Sequence, residues 1–201
     1  EVQLVSPDDG DGYNRQALLE NITDNIIIPA HNNLLEELQS LKSATDNLIN
    51  DVSQTNLEEV RNNWLETYKA WQYVEMFNIG KAEEIFYYQK MNTYPSNVSR
   101  IENNISTEDY DLINNYNNVS AQGFPAIDYM LYGIEANDQL ILQKYESIQG
   151  QESKYSNYLE VIIENMIANT IEVINYWNNN RQSFVNSTDN TTTSSLNLLT
   201  N

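Results

Sequence analysis

The chain has no cysteine among its 201 residues, so it can form no disulfide framework, thiolate metal site or cysteine nucleophile, and its fold must rest on packing alone. It has a single histidine, His31, so a histidine-based triad or a multi-histidine metal site would have to rest on one imidazole. Basic residues are scarce: 10 Lys and Arg face 29 Asp and Glu, a formal charge of -19. That balance argues against a nucleic-acid backbone or an anionic membrane as partner and leaves cationic partners open, although acidity also serves plain solubility. No apolar run approaches the roughly 20 residues that span a bilayer, and no basic stretch followed by an apolar core marks a signal peptide. Also missing are Gly-x-Ser-x-Gly, His-Glu-x-x-His, a phosphate-binding glycine loop and a dinucleotide fingerprint, which removes the usual support for hydrolase and nucleotide chemistry.

What is present reads as helix. Hydrophobic content of 40% over this length suffices for one large domain. From about 14 to 51, Leu34, Leu38, Leu41, Thr45, Leu48 and Val52 recur at steps of three and four, the stripe of a helix facing a bundle, and Pro29 predicts a kink within it. Asn56 can cap a second helix, in which Val60, Trp64, Tyr68 and Trp71 continue the spacing and Glu75 comes next on the same stripe. A last long helix over about 152–184 carries Tyr155, Leu159, Ile162, Met166, Val173 and Trp177, widened by Ile163, Ile167, Ile171 and Ile174, which implies burial on two sides. The pattern predicts an all-α, up-and-down bundle, four-helix-bundle-like, with long kinked helices. Residues 1–13 read as a polar tether, 14–185 as the bundle, and 186–201 as a polar linker followed by the start of a further helix.

The segment richest in functional signal is Gly123-Phe124-Pro125-Ala126-Ile127-Asp128-Tyr129-Met130-Leu131-Tyr132-Gly133. Phe124, Ile127, Leu131 and Ile134 make an apolar stripe, and Pro125, Asp128 and Tyr132 form the adjoining face, so Asp128 is expected at the edge of a core. The segment resembles the signature helix of imelysin-like proteins, a family whose pattern is Gly-x-His-x-x-Glu. Gly123 and the spacing match; Pro125 stands at the histidine position and Asp128 at that of the glutamate. Proline cannot ligate through its side chain, so half of the family's ligand pair is gone. Two further stretches resemble the family in the right order: Ile26 to Leu34 with its proline, and Trp64 to Gly80 with tryptophans seven apart, a glutamate and a closing glycine.

The resemblance implies an exported helical protein linked to bacterial iron uptake, periplasmic or held at the outer membrane of a Gram-negative bacterium, and a lipoprotein if a lipidated cysteine precedes residue 1. It implies iron or another divalent metal as ligand, a metal ion or a metal-bearing protein as partner, and a pocket formed by Asp128, Glu75 and His31. Trp64, Trp71 and Tyr132 are expected as aromatic lining or core. Hard carboxylates suit such an ion. Two other readings stand beside this one. In the first, the family's metallopeptidase label holds, Asp128 carries a metal and Glu75 acts as base, although Pro125 counts against it. In the second, the bundle binds a protein partner without metal and Asp128 braces a helix start.

Overall fold

Pro29 shapes the first long element. A computed structural model describes residues 13–189 and 191–200, and in it α1 (Arg15–Ile22) runs through a π turn (Thr23–Ile27) into α2 (Ile28–Asn50). Proline has no N–H to return to the carbonyl four residues earlier. The ladder widens in the turn just before it, where the Ile28 N–H reaches the Thr23 carbonyl five residues back. The disturbance expected at Pro29 is thus taken up as a π turn. The tether expected over 1–13 lies outside the described residues, Tyr13 excepted.

Leu34, Leu38, Leu41, Thr45 and Leu48 are all buried along α2, as their spacing predicts. At the next helix, α3 (Gln54–Trp71), the cap is Ser53, whose side chain accepts from the Asn56 N–H at 3.3 Å. Asn56 itself lies inside the first turn and reaches back to the Asp51 carbonyl at 2.7 Å. A hydroxyl three residues before a helical N–H is the standard N-cap arrangement, and Asn56 sits too far into the turn to supply it. Because α3 ends at Trp71, Glu75 is carried by the following turns and does not continue the helical stripe.

Short elements follow: α4 (Lys81–Glu84), α5 (Tyr87–Asn92), α6 (Val98–Thr107), a 3₁₀ turn (Tyr116–Ala121), α7 (Gly123–Asp128), a π turn (Tyr129–Gly133) and α8 (Asp138–Tyr145). The longest helix, α9 (Lys154–Asn186), has 33 residues and is capped by Ser153. The chain is all-α; the described residues contain no strand, and the only ladder contact among them is an isolated bridge between Ile148 and Gln151. Packing of α2 against both α3 and α9 forms the trunk, and the short elements cover its remaining side. After the polar stretch at 186–194, α10 (Ser195–Thr200) packs back against α1.

One core joins Leu38 and Leu41 of α2, Leu57 and Val60 of α3, and Leu159, Ile162, Ile163 and Val173 of α9, all of them fully buried. The buried face of α9 is rotated from the one its isoleucines predict. Ile171 is exposed, while Asn165, Asn169 and Thr170 are buried. These polar groups tolerate burial because each is satisfied: Asn165 donates to Gln122, Asn169 to the Asn165 carbonyl, and Thr170 shares a 2.7 Å hydrogen bond with the Tyr87 hydroxyl.

Candidate functional site

Gly123 sets the site. Its φ of +74° is one that L side chains rarely adopt, and a Cβ there would strike the carbonyl oxygens of Lys90 and Met91 at the end of α5. Glycine therefore lets α7 begin hard against α5, and the two helices with α3 enclose an open cleft of about 510 Å³. Trp64 and Tyr68 line it from α3, Tyr88 and Asn92 from α5, Thr93, Tyr94 and Ser96 from the loop beyond, and Phe124, Pro125 and Asp128 from α7. The Tyr94–Pro95 peptide in that loop is cis.

The aromatic wall is held firmly. Trp64 donates its indole N–H to the Phe124 carbonyl at 3.2 Å, and its ring stacks on Tyr68 at 5.6 Å with 3° between the planes. Tyr68 in turn meets Phe124 edge-on at 5.1 Å, and Tyr132 meets Trp64 edge-on at 6.3 Å. Arg61, one turn before Trp64 and outside the cleft lining, clamps the neighbouring elements together. Its guanidinium donates to the Leu131 carbonyl at 2.7 and 3.2 Å and to both oxygens of Asp138 at 2.8 and 2.7 Å, and it lies 4.4 Å from the Tyr132 ring centroid. This fork ties α3 to the π turn and to α8. Arg61 holds the Asp138 carboxyl down at about 2.

Asp128 stands at the rim with no hydrogen bond or ion pair among the described residues, and desolvation raises its carboxyl above the ordinary range. It is the last residue of α7, and among the described residues no backbone N–H reaches its carboxylate, so the helix-bracing role considered for it is not what the structure contains. Phe124, Ile127 and Leu131 are buried while Pro125, Asp128 and Tyr132 face outward, as the spacing predicts.

The pocket expected of Asp128, Glu75 and His31 is not formed. His31 and Glu75 do not line the cleft, and no group of three His, Cys, Asp or Glu side chains placed to hold a metal occurs among the described residues. His31 is fully buried in α2. Its Nδ1 donates to the Ile27 carbonyl at 2.8 Å, its ring stacks on Tyr87 at 6.4 Å, its Nε2 has no partner among the described residues, and burial lowers its pKa to about 4. The ring is enclosed by core and faces no open space. Of the aromatics, Trp64 lines the cleft, Tyr132 packs edge-on against Trp64 but is half-exposed and not part of the lining, and Trp71 is core. Arg61, Tyr88 and Tyr94 were not anticipated; the position of Arg61 one turn before Trp64, in a chain with few basic residues, was the available signal.

The imelysin family model matches residues 27–201. An imelysin-like protein of Psychrobacter arcticum aligns with a TM-score of 0.74 at 20% identity, over 92% of this chain and 57% of its own. A putative iron-regulated protein A precursor of Parabacteroides distasonis aligns with a TM-score of 0.65 at 20% identity, over 81% and 45%. The chain thus spans roughly half the length of these solved structures. No curated protein matches it. With the family model covering nearly all of the described chain, and the same helical architecture in both structures, this chain belongs to the imelysin family.

Proposed function

We propose that this chain is an exported, non-enzymatic binding component linked to bacterial iron acquisition, and that its ligand meets the cleft between α3, α5 and α7. The observation that carries the reading is the unpartnered Asp128 carboxylate at the rim of an aromatic cleft of about 510 Å³. A carboxylate without internal donors, beside rings held by their own hydrogen bonds and stacking, is preorganised for something that arrives from outside. The iron link is supported by family membership and by the naming of the Parabacteroides relative as iron-regulated.

One carboxylate is a hard ligand but only a single one, so the cleft suits a metal that arrives with part of its coordination shell, on a chelator or a metal-bearing partner. A peptidase mechanism needs several protein ligands around one metal and an open position for water. At the histidine position of the family pattern, Pro125 offers no lone pair, which favours binding over catalysis.

The test is a titration of the intact protein with ferric citrate and, anaerobically, with ferrous iron, followed by tryptophan fluorescence and calorimetry. Asp128→Ala should abolish binding and Glu75→Ala should leave it unchanged. No binding by the intact protein, or undiminished binding by Asp128→Ala, overturns the reading. The exposure of Tyr94 (84%) and Tyr88 (40%) at the cleft supports a second reading, in which a protein partner docks there without metal.

A further inference from the structure

Half of the cleft lining is aromatic, and an aromatic face has no lone pair to give a metal ion. Trp64, Tyr68, Tyr88, Tyr94 and Phe124 are five of the ten lining residues, Asp128 is the only charged one, and no Lys, Arg or His is among them. Trp64 and Tyr68 lie parallel on α3, Phe124 of α7 stands at 64° to Tyr68, Tyr88 comes from α5 and Tyr94 from the loop after it, so rings reach one space from three helices and a loop. Arg61 does not serve Asp128: its guanidinium is committed to Asp138 and the Leu131 carbonyl, and no cation among the described residues acts on the Asp128 carboxylate. The cleft therefore has room, a set of rings and an unpaired negative charge.

The plain account is a solvated acid beside rings that edge the core. It covers Trp64, Tyr68 and Phe124, which hold one another, but not Tyr94, which is 84% exposed and has no ring partner among the described residues. The negative face of an aromatic ring attracts a cation, and a guanidinium or alkylated ammonium, with its charge spread over an apolar group, loses less hydration than a compact ion on reaching it. The protein already uses this chemistry one turn away: the Arg61 guanidinium lies 4.4 Å from the Tyr132 ring centroid while it pairs with both oxygens of Asp138. Asp128, one turn before Tyr132, and the rings of the cleft repeat both halves of that arrangement, carboxylate and aromatic ring, without the cation. The formal charge of -19 draws cations towards the surface as a whole.

We propose that the cleft binds a small organic cation, an alkylated ammonium or a guanidinium, with Asp128 as its counter-ion and the rings of Trp64, Tyr68, Tyr88 and Tyr94 as the walls that hold its charge. Such binding rests on the cleft being a ligand site, as proposed above, and does not need iron. Its volume of about 510 Å³ is that of a small-molecule site, so the occupant is a free ligand whose cationic head enters the cleft. No bond is made or broken. The cation and a ferric chelate would meet the same carboxylate and so compete for it.

The experiment is a titration of the full chain with choline and with butylguanidinium, each beside its neutral isostere, 3,3-dimethylbutanol and butylurea, followed by ligand-observed NMR and tryptophan fluorescence. The expected result is saturable binding of at least one cation with a Kd below about 10 mM, and binding of its isostere at least about tenfold weaker. Asp128→Asn keeps the shape and removes the charge, and should weaken the cation at least about threefold. Glu75→Gln makes the same change of net charge outside the cleft lining and should leave binding unchanged. Tyr88→Leu should weaken it about twofold to fivefold. Circular dichroism checks folding, and if a variant unfolds, the isostere comparison in the intact protein decides. Binding of neither cation, equal binding of cation and isostere, or equal losses in Asp128→Asn and Glu75→Gln overturns the inference. Ferric citrate bound at Asp128 with neither cation bound refutes this inference alone, whereas a cation bound without ferric citrate refutes the iron link alone.

Discussion

His31 makes the protein acid-sensitive through its stability. The imidazole Nδ1–H is committed to the Ile27 carbonyl, and the buried Nε2 could take a proton only by placing a charge in the core without a counter-ion. Its pKa is lowered from 6.5 to about 4, chiefly by burial. The unfolded chain therefore binds this proton first. The associated stability is complete above about pH 6.5, declines as the pH falls towards 4, and is fully lost below that. At about 1.4 kcal/mol per unit, a difference of roughly 2.5 units amounts to about 3 kcal/mol. Acid also relieves the repulsion of a chain with formal charge -19, which acts in the opposite direction. Comparison with His31→Leu separates the two, because the variant keeps the repulsion and loses the titration. Urea unfolding at several values between about pH 7 and pH 4 should show the wild-type protein losing about 3 kcal/mol relative to the variant. The variant should carry an offset of about 1 kcal/mol, independent of pH, for its missing hydrogen bond. Parallel curves would refute the buried, unpartnered imidazole.

Further perturbations bear on the site. Gly123→Ala should destabilise by about 2–4 kcal/mol in urea unfolding, since it combines a left-handed backbone with a clash against the end of α5. Arg61→Ala removes bonds to the Leu131 carbonyl and Asp138 and should cost about 2 kcal/mol or more, visible as a lower unfolding midpoint and altered tryptophan fluorescence. Pro125→His should create a His-x-x-Asp pair on the face of α7 that lines the cleft and raise divalent-metal affinity measurably by calorimetry; no gain would show that the two positions do not share a ligand. Because desolvation raises the Asp128 carboxyl, binding at the cleft should weaken on acidification at a higher pH than an ordinary aspartate would give, and a binding-versus-pH series checks the direction.

The long elements were readable because periodicity reports burial directly. The leucines of α2 and the Phe124, Ile127 and Leu131 stripe are buried as their spacing predicts. The errors lie where local pattern does not decide. Asn56 and Ser53 are both acceptable caps, and geometry selected the serine. Glu75 continues the stripe arithmetically, but the helix stops at Trp71. The rotated face of α9 depended on partners for Asn165, Asn169 and Thr170 that lie on other elements and leave no local trace. At the site, Pro125, Asp128 and Trp64 were legible from the signature segment and its companion. His31 and Glu75 were not excluded, because their separation from Asp128 is fixed only by tertiary packing.

The most direct test of the central claim is anomalous X-ray scattering at the iron edge from crystals of the protein loaded with ferric citrate. A peak within coordinating distance of the Asp128 carboxylate, in the cleft bounded by Trp64 and Tyr68, is the predicted result. A cleft with no iron at saturating ligand, in a protein that is folded and otherwise unchanged, would contradict the assignment of Asp128 as the point of contact.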